Sequence, residues 1–558
     1  MNSPDDTACR VLAWQETMYG QRANFNNLWQ AVAELVAPNN ADFTVKHVEG
    51  QRRTQRIFES TATRALEHFC AAMESMLCPA STRWHRLEID DPALANDIEV
   101  QQYLDSVTDC LFRARYAPAA NFQSQMHEVF YQEGAFGVGP LLIDDVPGYG
   151  LRYRALSLCQ TYGMENSAGV IDHVQREYTM SARAAIDACD RGIFDKDKLP
   201  DQIRNACEKN PLQQFTFIHA VYPNKDIVAG AKDKRGMKFS SCQVSKEFRC
   251  TLRESGYSSQ PMLLARYRKS PEETYGRGPC VDVEPEIRML QEMQKTIIRQ
   301  AQRDVAPPLL LMDDGSLGAF DLRANAMNFG AMSADGKPLV MPLQTGSRFE
   351  VSQELINESR SAVQSALLTD IFAILEKEPN MTATEVLQRA QEKGQLLAPI
   401  IGRQQSELFG PMIERELDIL DRAGQLPSPP DKLRRLGSIS LKVVYESQIQ
   451  VTQRQGEALA INQVLQQMAP LMQIDPSVAK SINMPRTFRL LAKANGAPAG
   501  MLNTDEEMQQ ADAQAANQQN MTNLAQIAGP ASSAIKNLAQ AQQAAGSAAP
   551  GNLVGAQQ

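Results

Sequence analysis

Two long amphipathic patterns constrain this chain more than anything else in it. The first opens at Glu284-Pro285, with proline at the first helical position, where a missing N–H costs nothing. Ile287, Leu290, Ile297, Ile298 and Ala301 then share one face until Pro307-Pro308 stops the helix. Its twenty-odd residues span roughly 33 Å. The second opens at Thr382-Ala-Thr-Glu385, a capping box in which hydroxyl and carboxylate satisfy each other's free backbone N–H groups. It runs to about Leu420 on Val386, Ala390, Leu397, Ile401, Leu408, Met412, Leu417 and Leu420, which is roughly 58 Å of helix if uninterrupted. Gly394, Pro399 and Gly402 lie inside it, and Pro399 removes a hydrogen bond and clashes one turn back, so a kink near 395–402 is expected. Helices of this length carry more apolar surface than one copy of the chain hides.

The remaining segments are shorter. Apolar positions predict helix from about Thr7 to Val36 and from about Ala62 to Leu77, where Pro79 follows the stop. Trp84–Ile89 reads as a strand, and Phe215–Tyr222, Cys242–Leu252 and Met262–Tyr267 make the stretch 215–268 the β-rich part. A half-buried strand is expected over Ile439–Tyr445, and helical pieces over 455–493. No aromatic residue follows Phe488, and residues 503–558 hold 15 Ala and 11 Gln with five charged side chains. So little bulky apolar surface cannot offset the entropy of ordering, which predicts a tail that is disordered or helical only in an assembly.

Composition narrows the class. Apolar residues at 43% and charged residues at 22% match ordinary globular usage and exclude a wholly disordered or disulfide-stapled chain. Fifty-six basic against 65 acidic residues leave a net charge of -9, so the chain as a whole is no polybasic nucleic-acid or membrane binder. Ten cysteines without any C-x-x-C spacing read as reduced, mostly buried thiols, and the histidines form no H-E-x-x-H, so no metal site and no cofactor are expected. The opening Met-Asn-Ser-Pro-Asp-Asp lacks the basic and apolar regions of a signal peptide, and no apolar run approaches the ~18 residues of a membrane span. A chain working or assembled in a reducing cytosol is the expectation.

Catalytic constellations find no residues to rest on. Glu133–Pro140 is glycine-rich, yet Gly134, Gly137 and Gly139 do not fit G-x-G-x-x-G, and a turn before a strand at Leu141–Ile143 is the simpler reading. Gly330-Ala-Met-Ser-Ala-Asp-Gly336-Lys337-Pro338 has one residue too many for a P-loop, and proline where Ser or Thr must meet magnesium. The acidic pairs Asp90-Asp91, Asp144-Asp145 and Asp313-Asp314 each sit beside Pro or Gly and read as solvated turn carboxylates rather than a two-metal centre. On the helix after Glu284, Lys295, Arg299 and Arg303 recur at four residues as a basic stripe that could face a polyanion. The neighbouring Glu292 and Arg288 equally allow a mixed solvated face.

Five stretches, in order, carry a family resemblance. They are Trp29-Gln-Ala-Val-Ala-Glu-Leu-Val-Ala-Pro38; Arg56-Ile-Phe-Glu-Ser-Thr-Ala62 with Met76-Leu-Cys-Pro79 and Trp84; Glu177-Tyr-Thr-Met-Ser-Ala182; Tyr275-Gly-Arg-Gly-Pro279 leading into Glu286-Ile-Arg-Met-Leu290; and Met381-Thr-Ala-Thr-Glu-Val-Leu-Gln-Arg389. Over about residues 25–420 the chain resembles the portal, or head-to-tail connector, family of short-tailed double-stranded DNA bacteriophages.

The resemblance implies a helix-rich α+β portal fold of wing, stem, clip and crown, assembled as a homo-oligomeric ring, usually of twelve copies, around a channel for double-stranded DNA. It places the ring in the virion at one capsid vertex, assembled in the host bacterial cytoplasm. Its partners would be the major capsid protein, a terminase that supplies the ATPase, and tail adaptor proteins. No enzymatic activity and no membrane contact are implied. Residues 1–180 would be wing, 181–211 a first stem limb, 212–275 the β-rich clip region, 276–306 the stem helix and 307–350 wing strands. Residues 351–381 would be the tunnel helix and loop, 382–454 the long kinked wing helix and strand, 455–502 crown helices, and 503–558 the tail, disordered or a barrel. Lys295, Arg299 and Arg303, with Glu376, Lys377 and Glu378 in the charged loop between two helices, are the expected channel residues. The alternatives are a capsid-associated nuclease or packaging-motor subunit, and a minor capsid or scaffold protein without a channel.

Overall fold

The computed structural model describes residues 5–311 except 47, 49, 92–93, 95–96, 147, 229, 232–233 and 306–307. Beyond them it describes 332, 336–338, 340–342, 349–369, 398–434, 441–445, 461–467, 487–488, 491–492 and 513–514. The chain divides into two units. The first comprises Met1–Arg86, Thr108–Leu426 and Val443–Gln450, and the second Leu87–Val107, Pro427–Lys442 and Val451–Gln558.

The first unit opens with α1 (Asp6–Gln21), capped by the Asp5 side chain on Thr7 N, and α2 (Ala23–Val36). The single helix expected from Thr7 to Val36 is therefore two, and Arg22 at the junction is the reason. Its guanidinium is buried, donating to the carbonyls of Leu158 (2.9 Å), Thr161 (2.6 Å) and Cys159 (2.9 Å) and to Asn26 Oδ1 (2.9 Å). Helix α3 (Thr61–Leu77) follows the expected face, burying Leu66, Phe69, Cys70, Met73 and Leu77. After β1 (His85–Ile89) come α4 (Ile98–Arg115) and α5 (Phe122–Phe136), which packs on α3 and runs into β2 (Val138–Val146). Gly137 ends α5 at φ +87°, a left-handed position that favours glycine.

Two antiparallel sheets follow. In the smaller, β2 lies between β3 (Gly150–Ala155) and β9 (Met262–Arg266), and in the larger the order is β4 (Thr161–Glu165), β5 (Ile171–Ser181), β6 (Gln214–Pro223), β7 (Phe239–Ser245), β8 (Cys250–Tyr257). The β-rich part thus begins at Val138, well before residue 215. Asp144 and Asp145 stand in β2, opposite Arg152 and Leu151, which corrects the turn expected for that pair. Residues 181–211 form two short helices, α6 (Ala182–Asp190) and α7 (Asp201–Lys209). Ala185, Phe194, Ile203, Phe217 and Leu252 bury them against the larger sheet.

Helix α8 (Pro279–Asp282) leads into α9 (Glu284–Val305), then β10 (Leu309–Leu311) pairs with β11 (Val340–Pro342), and α10 (Phe349–Ala366) packs against α9. Residues 398–404 are helical and continue through a π-turn at Gln405–Phe409 into α11 (Gly410–Arg422). In the second unit, α12 (Asp431–Arg434) places Lys432 on Asp97 (2.7 Å) and Glu99 (3.1 Å), and β12 (Leu441–Tyr445) spans a unit boundary.

One buried ion pair fastens α11 to α4. Arg115 donates to Glu416 through Nε (3.0 Å) and Nη2 (2.5 Å), and both side chains are wholly shielded from solvent. Tyr153 donates its hydroxyl to Glu416, and Arg115 Nη1 donates to His85 Nε2 at 2.9 Å. Burial first, and the arginine charge second, hold His85 well below the usual imidazole range, so it stays neutral. Removing one partner strands the other charge in a dry interior. Glu416→Ala should cost about 3–5 kcal/mol in chemical denaturation. The joint change Arg115→Met with Glu416→Leu should cost less than that single change, because no charge is left unpaired.

Candidate functional site

The long helix α9 is the element from which the expected site is built, and its start is set by glycine. At Gly276 a β-carbon would lie 2.3 Å from Gly137 O, and at Gly278 2.5 Å from Glu133 O. Only bare backbone fits there. Tyr275 beside them meets Trp29 edge-on at 5.4 Å, and its hydroxyl accepts from Gly163 N (3.1 Å). Two of the recognised motifs thus meet in space: Trp29 from one, and Tyr275-Gly-Arg-Gly-Pro279 from another.

The first half of α9 is held firmly. Ile287 and Leu290 are buried, and Gln291 clamps a third motif: its Oε1 accepts from Phe58 N (2.6 Å) and Glu59 N (2.9 Å), and its Nε2 donates to Glu59 O (2.7 Å). Glu59 also takes Arg360 of α10 (2.7 Å). Partial burial pushes that carboxyl up, but Arg360 and Thr61 outweigh it and leave the pKa below the ordinary carboxylate value.

The second half is not held. The apolar face expected on Ile287, Leu290, Ile297, Ile298 and Ala301 loses cover after Gln291, with Ile298 37% exposed and Val305 87% exposed. The basic stripe also divides. Lys295 binds Glu292 (2.8 Å) and lies over the Phe58 ring at 5.7 Å. Arg299 and Arg303 are exposed and make no ion pair with a described residue. On the neighbouring α10, Ile356, Ser359 and Val363 are buried, whereas Glu354 and Glu358 face solvent, likewise without an ion pair to a described residue.

Glu376, Lys377, Glu378 and Gly394 lie outside the described residues. Pro399 and Gly402 fall in the helical residues 398–404, and the irregularity next to them is the π-turn at Gln405–Phe409. Periodicity had singled out Leu408, Met412 and Leu420 on this segment, and all three are buried. It missed the polar side chains beside them. Glu407 takes a two-pronged contact from Arg266 (2.8 Å from both Nε and Nη2), Arg415 reaches Asp144 (3.4 Å) and Asp418 (3.0 Å), and Gln404 donates to Glu133 (2.9 Å). A helix-length pattern assigns such residues to solvent. For Gln404 and Arg415 the available signal was a spacing of three or four residues from Ile401, Leu408 or Met412 on the apolar stripe, and Glu407 offered none.

Glu133 is fully buried and has no cationic partner. Its Oε1 and the Oε1 of Gln404 both lack a hydrogen-bond partner. A protonated carboxyl at Glu133 would carry an O–H donor in this buried setting, where an ionised one carries none. Burial, then the nearby Glu407 charge, raises this carboxyl well above its ordinary value, against a smaller opposing effect from Gln404. Among the described residues, no group of three or more His, Cys, Asp or Glu is gathered where it could hold a metal ion. No helix there is long and apolar enough to cross a membrane.

Comparison with known proteins agrees with the motifs. Residues 10–502 match the family model described as bacteriophage head to tail connecting protein. The chain is 24% identical over 480 residues to a probable portal protein of Bordetella phage BPP-1, covering 84% of this chain and 83% of that one. It is 21% identical over 512 residues to the portal protein of Salmonella phage epsilon15, covering 90% and 89%. Chains from a native gene transfer agent virion (10% identity, 77% of this chain and 94% of that one) and from the neck of an empty gene transfer agent particle (12%, 75% and 91%) each align with a TM-score of 0.36.

The Glu133 pair generates a pH dependence. Folding raises this pKa, so its contribution to stability is complete below about 4.5, the unfolded value, and is lost as pH rises toward the folded value. Glu133→Gln, which keeps the shape without a titrating proton, should flatten that decline. Thermal midpoints of the two proteins should converge in acid and separate in favour of the variant as pH rises; parallel curves would contradict a buried neutral acid.

Proposed function

The chain belongs to the bacteriophage head-to-tail connecting protein family and has a phage portal role, and from that premise we propose how it acts. Copies of the chain close into a ring, twelve by family precedent, at one vertex of the capsid. Double-stranded DNA passes through its centre inward at packaging and outward at ejection. The ring docks the terminase during packaging and tail adaptor proteins afterwards, and it seats against the major capsid protein. It is built in the host cytoplasm and performs no catalysis itself.

The observation that carries the ring is the uncovered second half of α9. A single chain leaves Ile298 and Val305 in water at the end of a helix whose first half is tightly fastened. A neighbouring copy would remove that apolar surface from solvent. Segment 276–306 serves as the stem helix along the channel wall, with 181–211 as the first stem limb, and 212–275 includes the clip that meets the motor. The wing takes 1–180, 307–350 and, as the long kinked helix and strand, 382–454; the crown takes 455–502.

The tunnel takes 351–381. Its charged loop Glu376-Lys377-Glu378 touches the passing DNA: Lys377 meets phosphates transiently and the two carboxylates limit adhesion. Sparse contact suits this task. Many phosphate-gripping cations would hold DNA with steep salt dependence, which opposes sliding.

Electron micrographs of the purified protein should contain rings with a central hole; a monomer under assembly-permissive salt would count against the whole reading. Deleting 376–380 should keep the rings and impair DNA packaging or retention in an in vitro assay. Unaltered packaging would remove the loop from the tunnel. Deleting 503–558, the Ala/Gln-rich tail, should leave ring assembly intact.

A further inference from the structure

Arg299 and Arg303 on α9 and Glu354 and Glu358 on α10, none of which makes an ion pair with a described residue, form complementary halves of a contact. We infer that Arg299 and Arg303 of one copy pair with Glu354 and Glu358 of the next, so that this charge match sets the register between adjacent subunits. The inference rests on the ring reading and assigns residues to its interface.

Spacing supports the match. Each pair is four residues apart on a helix, a rise of about 6 Å, so two helices laid side by side align both contacts at once. Like charges at that spacing are mildly unfavourable on one isolated helix, and an opposing pair relieves both repulsions. All four side chains are exposed and make no ion pair with a described residue, whereas Lys295 on the same stripe is already occupied by Glu292.

The surroundings favour protein over DNA as the partner. Ile298 and Val305 are exposed on α9, and Leu355, next to Glu354, is 47% exposed. A phosphate backbone gains nothing by covering these groups, while a helix of a second copy removes them from water and is specified by the charges around them. A chain that presents one patch of each sign on adjacent helices suits a head-to-tail contact, the arrangement that closes into a ring.

Charge reversal in the full-length protein tests the inference. Arg299→Glu with Arg303→Glu, and separately Glu354→Arg with Glu358→Arg, should each raise the concentration needed for ring assembly about tenfold or more. All four changes together should restore assembly to near the wild-type level. Circular dichroism confirms that each variant is folded, and Arg299→Lys with Arg303→Lys, which keeps the charge, should assemble. Rings from either reversed pair at wild-type concentration, or no rescue in the folded fourfold variant, would overturn the pairing while leaving the ring intact. Intact rings with altered DNA packaging on reversing the arginines would assign them to DNA instead. A wild-type chain that never forms rings would remove both readings.

Discussion

A contact of bare backbone against bare backbone underlies the rest of the first unit. Gly137 faces Arg277 and Gly278 so closely that a β-carbon would lie 2.3–2.4 Å from their backbone atoms, and Gly276 and Gly278 return the same closeness to Gly137 and Glu133. Three glycines on two distant segments are needed together. The corner between α5 and β2 is thereby fastened to the chain entering α8 and α9, with Trp29 donating to Phe136 O (2.9 Å) and Tyr275 packing alongside. The direction in which α9 leaves the body follows from that join. A side chain of any size at those positions would move the helix that carries the exposed surface.

Buried arginines then set how other elements sit on this framework. Arg115, Arg266 and Arg415 each link the 405–422 segment to strands or helices of the body. Such pairs are a poor source of net stability because desolvation offsets most of the attraction, but a mismatched register would leave a charge stranded. They therefore discriminate against wrong dockings more than they strengthen the right one. Arg22 differs in kind: it is held by three carbonyls and one amide oxygen, over the Tyr162 ring at 3.9 Å. Its planar fork spans several acceptors at once, which a lysine ammonium in the same place could not do.

The placement of single helices was more legible in the sequence than the tertiary and polar packing that joins them. Proline at the start of α9 and the apolar period of α3 placed both helices within a residue of where they lie. The glycine-rich stretch after Glu133 was expected to be a turn before a strand at Leu141–Ile143, whereas only Gly137 turns the chain, between the end of α5 at Phe136 and the start of β2 at Val138. Its packing partner in Tyr275-Gly-Arg-Gly-Pro279 was not legible, since nothing local joins two segments so far apart. The break at Arg22 was hidden because apolar positions continue in phase on both sides of a polar residue whose burial comes from tertiary contacts. For the same reason Glu133, Gln404 and Glu416 went unnoticed: charged residues are rarely buried, and only the fold supplies their partners. On the candidate site, the spacing of Lys295, Arg299 and Arg303 suggested one stripe, while packing on Phe58 and Glu292 separates the first from the other two.

The neutral acid at Glu133 also changes the molecule's electrical account. The formal charge of -9 treats every acidic side chain as an anion. At any pH between the unfolded pKa and the raised folded one, the folded chain is one charge less negative than its composition states, and unfolding there releases a proton to solvent. Electrophoretic mobility of the native protein should therefore be read against the smaller charge. Because the side chain is fully buried, that proton exchanges with the buffer only when the fold opens around it.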